Sequence, residues 1–137
     1  MWDDLKPYLV GSEPTATVLD PDGTPNFILD VVQGGAIKIG WSFSGAAKAL
    51  LNVMKFIVNV YADPVGLGSN ALLGTVTVDG TTGPNFTAVV NIPPNSIAVG
   101  AYRLTTLNTT DLKIVPPQSL PIAGFVDGPI IQVRPGP

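Results

Sequence analysis

The chain of 137 residues contains neither cysteine nor histidine. Those two absences remove disulfides, thiolate nucleophiles, Cys/His zinc sites and every catalytic triad that uses imidazole as its base. Charge is scarce as well. Charged residues make up 12% of the chain, against the ~25% usual in soluble domains. Seven Lys or Arg, each isolated, stand against ten acids, of which only Glu13 is a glutamate, for a net charge of -3. Such a chain lacks the basic patch that nucleic acid requires and the attraction to anionic lipid. No apolar run is long enough to span a bilayer. The first ten residues carry Asp3 and Asp4 where a secretory signal has a basic region followed by an apolar stretch. The expectation is a protein that is cytoplasmic as synthesised, without a signal peptide and without membrane insertion. Export by a separate machine stays open.

What the chain does have is apolar residues, 45% of the total, in a length that suits one domain. Their dominant period is two. Ile37, Ile39, Trp41 and Phe43 alternate with Lys38, Gly40 and Ser42, the pattern of a half-buried strand. The same alternation puts Met54, Phe56, Val58 and Val60 on one face of a strand. Further sets are Leu72, Gly74, Val76 and Val78, then Phe86, Ala88, Val90 and Ile92, then Tyr102, Leu104 and Thr106. A first strand over Thr15–Leu19 and a last one across 124–134 bring the count to about seven. Turn formers punctuate the runs: Asp20-Pro21-Asp22-Gly23, Gln33-Gly34-Gly35, Asp63-Pro64, Asp79-Gly80 and Pro93-Pro94-Asn95. Short strands at this spacing predict an all-β sandwich or barrel. Residues 45–54 are rich in Ala and Leu and read as a loop with one helical turn.

Residues 1–13 differ from the rest. Trp2, Leu5 and Leu9 share one side of a helical turn that Pro7 interrupts, so the segment reads as an N-terminal arm ahead of a domain over 14–137. The arm is dense in large apolar side chains and gains little by ordering in water. It is expected to dock, either on its own sandwich or on a neighbouring copy.

Two short motifs resemble a known superfamily. Ile37-Lys38-Ile39-Gly40-Trp41 is similar to the second strand of fibronectin type III and related immunoglobulin-like domains, where a Trp fills the core. Gly100-Ala101-Tyr102-Arg103-Leu104 resembles their penultimate strand with its tyrosine corner. The resemblance covers residues 15–134 and implies an immunoglobulin-like antiparallel β-sandwich, with the Tyr102 hydroxyl bonded to backbone near 95–98. Two features depart from it: a long connection over 109–120, and Gly124 and Gly128-Pro129 in the last strand, which suggest a bulge or break.

Candidate chemistry is thin. Without His, acid–base catalysis needs paired carboxylates, and most of the aspartates sit in turn contexts. No phosphate loop, nucleophile elbow or Ser-x-x-Lys motif occurs. Asp20-x-Asp22-Gly23 has the start of a calcium loop but not its later ligands; Asp30 and Asp127 are the further acids that a sandwich would have to bring near. A sugar platform would draw on Trp2, Tyr8 and Tyr61. The expected function is non-enzymatic and free of cofactors: a structural or interaction module, a self-associating subunit of a ring, filament or coat. Its partner is itself or another structural protein. The alternative is a carbohydrate- or ligand-binding sandwich. The interface residues expected are Trp2, Leu5, Tyr8 and Leu9 in the arm, and Val53, Ile57, Val89 and Leu107, apolar residues on nominally outward strand positions.

Overall fold

Alternating side chains need a partner layer for their apolar face, and two sheets supply it to one another. The computed structural model describes residues 2–3, 10–12, 14–45, 48–66, 68, 70–80, 85–113 and 118–135. Its elements are β1 (Trp2–Asp3), β2 (Val10–Gly11), β3 (Thr15–Leu19), β4 (Ile28–Asp30), β5 (Gly35–Ser44), a 3-10 helix (Lys48–Val53), β6 (Met54–Pro64), β7 (Ala71–Asp79), β8 (Asn85–Ile92), β9 (Gly100–Leu112) and β10 (Gln118–Arg134). The larger sheet runs β1-β10-β9-β6-β7, with β4 also on β10. The smaller sheet sets β5 between β8 on one edge and β2 and β3 on the other. The result is an all-β sandwich.

Strands β5, β6, β7 and β8 stand where the alternation predicts them, each a little longer, β9 runs well beyond its expected end, and β3 coincides with its expected span. Four details differ from expectation. The segment before β6 is a 3-10 helix, held because Leu51 is fully buried beneath it. The connection between β9 and β10 shrinks to residues 113–117, since β9 continues through Thr109, Thr110 and Asp111 and β10 already begins at Gln118. Gly128-Pro129 does mark a register shift, between Asp127 and Ile130, but the other shift falls at Pro121-Ile122 and not at Gly124. Proline cannot donate to a ladder, which is why the irregularity sits there. Lastly, the pairing is not wholly antiparallel: β4 runs parallel to the end of β10, through Ile28↔Gln132, Leu29↔Val133 and Asp30↔Arg134. The chain thus crosses from one sheet to the other between Leu19 and Ile28.

The core joins Val18, Ile37, Ile39, Trp41 and Phe43 of the smaller sheet to Met54, Phe56, Val58, Val60 and Leu104 of the larger. Phe86, Ala88, Val90 and Ile92 of β8 belong to it too, with Leu51 of the 3-10 helix, Ala62 of β6, Leu29 of β4 and Ile131 and Val133 of β10. Its densest part is aromatic. Trp41 lies edge-on to Phe56 at 5.5 Å and stacks on Phe86 at 5.8 Å, while Phe56 and Phe86 approach to 5.0 Å. Pairs of this geometry add about 0.5–1.5 kcal/mol beyond the area they bury. The Tyr102 hydroxyl donates to the Ala98 carbonyl at 2.9 Å, the bond expected of a tyrosine corner. Gly34, at φ 70°, enters β5 so close to the Ile92 carbonyl that any side chain would collide with it. Among the described residues no helix is long and apolar enough to cross a membrane.

Candidate interaction faces

Strand register decides which outward side chains meet. Across β7, β6 and β9 the outward rows of the larger sheet read Asp79–Lys55–Asp111, Thr77–Ile57–Thr109, Thr75–Asn59–Leu107 and Leu72–Tyr61–Thr105, closing with Asp63–Arg103. On these three strands charge is confined to the two end rows, while on β10 Asp127 extends the Tyr61–Thr105 row. Between the end rows lie Ile57, Tyr61 and Leu107, half-buried, among Thr and Asn side chains. Thr75 donates to Asn59 Oδ1 at 2.6 Å, tying β7 to β6 on this face. A bulge at Leu73, between the Val60↔Gly74 and Tyr61↔Leu72 pairs, leaves Leu72 outward and 56% exposed.

The outward face of the smaller sheet is different. It presents Thr15, Thr17, Lys38, Asn85, Thr87 and Asn91, all exposed, with two large apolar residues, exposed Val89 and half-buried Leu19 at its margin. Of the expected interface residues, then, Ile57 and Leu107 come together as diagonal neighbours. Val89 lies on the opposite side of the sandwich, beside Lys38, and Val53 ends the 3-10 helix. The four do not form one patch, because equal strand parity places residues on the same side only within one sheet.

The described parts of the arm add strands to both sheets of their own chain. Trp2 and Asp3 pair with Gly124 and Ala123 on the free edge of β10. Val10 and Gly11 pair with Ser44 and Phe43, and Ser12 carries the ladder on through bonds of 2.8 and 2.9 Å to Ser42. Leu5, Tyr8 and Leu9 lie outside the described residues, as does the side chain of Trp2.

One cleft of about 430 Å³ opens where the turn after β3 faces β4 and the end of β10. It is lined by Asp20, Asp22, Asn26, Asp30, Gln33 and Arg134, with Ile28 and Leu29 at its wall. The sandwich therefore does bring Asp30 to Asp20 and Asp22. Asp127 is elsewhere, opposite Thr105 in the body of the larger sheet. Asp20 Oδ1 is engaged locally, accepting from the Asp22 and Thr24 amides at 3.0 Å each, the geometry of an Asx turn. Among the described residues no group of three acidic side chains is near enough to hold a metal ion.

A last feature was not visible in the alternation. On β9 the inward side chains after Leu104 are Thr106, Asn108 and Thr110, each at most 2% exposed. Among the described residues, the Asn108 amide, both Thr hydroxyls and Trp41 Nε1 find no hydrogen-bond partner. Each such group costs about 1–3 kcal/mol when left unsatisfied.

No protein family matches the chain, and no curated protein does. Among solved structures, the soluble domain of PmoD from Methylocystis sp. ATCC 49242 (Rockwell) is similar at a TM-score of 0.41 and 12% identity, covering 88% of this chain and 90% of that one.

Proposed function

We propose that the chain is a non-enzymatic structural or interaction module of the immunoglobulin-like class, working as a self-associating subunit of a larger assembly. The observation that carries this reading is the outward face of the larger sheet. Interfaces between proteins have an apolar centre depleted of charge and a polar rim. Here Ile57, Tyr61 and Leu107 form the centre, Thr and Asn surround it, and the charges of β7, β6 and β9 are held at the ends, with Asp127 at the β10 side. The arm adds a second means of association, because strands that pair at a sheet edge in one chain can exchange between copies.

The immunoglobulin-like class is supported by four features. The first strand is split between sheets as β3 and β4. The strand order sets β3-β5-β8 against β4-β10-β9-β6-β7. Tyr102 in the penultimate strand bonds back to Ala98, and Trp41 fills the core from the second sandwich strand.

Size-exclusion chromatography with light scattering tests the function. A mass that is a multiple of 14.2 kDa and rises with concentration is expected. A monomer throughout would end the self-association reading.

A second reading, a module that binds a small polar ligand, draws on the cleft with its three carboxylates, Arg134 and two side-chain amides. Calorimetry against sugars, amines and calcium tests it. Heat that disappears in Asp30→Asn would favour this reading over assembly.

A further inference from the structure

We infer that the outward face of the larger sheet pairs with the same face of a second copy of this chain, about a two-fold axis that crosses the strands at the Asn59–Leu107 row. The inference rests on the self-association reading above and gives it a surface and a symmetry.

Four of the five charges in these rows form a square on β6 and β9, and the fifth, Asp79, flanks Lys55 on β7. Lys55 and Asp111 are register partners in one end row, and Asp63 and Arg103 are partners in the other. Along β6 the sign runs from positive to negative, and along β9 from negative to positive. A square of this kind complements its own image after a half-turn. Residue 59 lies midway between 55 and 63, residue 107 lies midway between 103 and 111, and Asn59 and Leu107 are themselves partners. A half-turn about that row therefore sets Lys55 against the partner's Asp63, and Asp111 against the partner's Arg103. It also sets Leu107 on the partner's Leu107 and Ile57 on the partner's Tyr61. Among the described residues, none of the four charged side chains has an ion pair within its own chain to compete.

A half-turn about an axis along the strands, between β6 and β9, also opposes the charges, with Lys55 on the partner's Asp111. That arrangement lays Leu107 on the partner's Asn59 and Ile57 on the partner's Thr109, apolar on polar. The apolar side chains select the axis across the strands. Isologous contacts of this type close as a dimer.

The contact is small. Its five rows span about 27 Å along the strands and about 10–15 Å across them. That amounts to roughly 800 Å² over both copies, below the ~1,200 Å² of stable specific interfaces. Association should accordingly be weak, dependent on concentration and reduced by salt.

The test is charge exchange, read by sedimentation equilibrium across a concentration series. Thermal melts at high dilution verify that each variant folds. Lys55→Asp should weaken dimerisation about tenfold or more, by opposing two acids across each contact. The double variant Lys55→Asp with Asp63→Lys should restore it, since each new charge then meets its new opposite. About the other axis the same double variant is worse than the single one. There the new acid at position 55 would face the partner's Asp111, and the new base at position 63 would face the partner's Arg103. Leu107→Asp should abolish the dimer. A double variant that associates no better than Lys55→Asp alone overturns the proposal. A parent that self-associates while Lys55→Asp and Leu107→Asp leave it unchanged overturns this face but spares the self-association reading. A parent that remains monomeric overturns both.

Discussion

Strands β5 and β9 occupy interior positions in opposite sheets, yet they obey the alternation rule to different degrees. On β5 every inward residue from Ile37 to Phe43 is apolar and buried, and the outward ones are Lys38, Gly40 and Ser42. On β9 the rule inverts beyond Leu104: Thr106, Asn108 and Thr110 face in while Leu107 faces out. A single-residue slip would bury Leu107, but because the side-chain period is two it would also bury Arg103, Thr105, Thr109 and Asp111. The slip is prevented from both sides. Tyr102, Leu104 and the Ala98 bond pin the start of β9, and β6 and β10 pair along its length. One strand therefore concentrates the core's stabilising contacts. The other carries a polar cost inside and an apolar surface outside. Strands that retain such a pattern often do so for a contact beyond the monomer.

The largest expected effect is on the β5 side of this comparison. Trp41→Ala should destabilise by about 3–5 kcal/mol, as a buried aromatic cut to Ala usually does, and chemical denaturation would measure it. Thr106→Ala on β9 should cost far less. Equal losses would mean that the two strands contribute alike.

Next is Asn108→Val, which removes two unsatisfied polar atoms beside Gly124 and Val58. It should stabilise by about 1–3 kcal/mol and raise the melting temperature by several degrees. A clear loss of stability would show that the Asn108 amide has partners in solution and that β9 is not a weak strand.

Tyr102→Phe should cost about 0.5–1.5 kcal/mol, a single hydrogen bond, because Ala98 is exposed and water can replace the hydroxyl there. A loss several times larger would mean that the corner fixes the register of β9 as a whole.

The smallest effect on monomer stability is expected for Val89→Asp and Leu107→Asp, each within about 0.5 kcal/mol in dilute solution. The two should part company on concentration. Leu107→Asp should hold the chain as a monomer, whereas Val89→Asp, on the polar face, should behave as the parent does.

The split of the expected interface residues shows where sequence reasoning stops. Val53, Ile57, Val89 and Leu107 look equivalent by parity, since each occupies the second face of its own segment. Only pairing reveals that Ile57 and Leu107 are neighbours and that Val89 is on the far side. The charge square is a stronger case. Lys55 and Asp63 share one face of β6, eight residues apart, and Arg103 and Asp111 share one face of β9, but the sequence alone put Asp63 in a turn and residue 111 in a connection. That Asn59 stands opposite Leu107, which makes the four charges self-complementary, is a fact of long-range register. The cleft is similar: Asp20 and Asp22 belong to one turn, but Asp30 and Arg134 join them through a parallel pairing of chain segments about a hundred residues apart.

By itself the sequence determined the all-β class, the span of β3 and the inward sets on β5, β6 and β8. Each follows from local periodicity, where the pleat and the turn residues leave little choice. The tertiary structure alone decided the parallel seat of β4, the extension of β9 that buries Asn108 and Thr110, the place of the register shifts in β10 and the composition of each outward face. Those depend on which strands pair and in which register, and that is set by the summed burial of both sheets and not by any one segment.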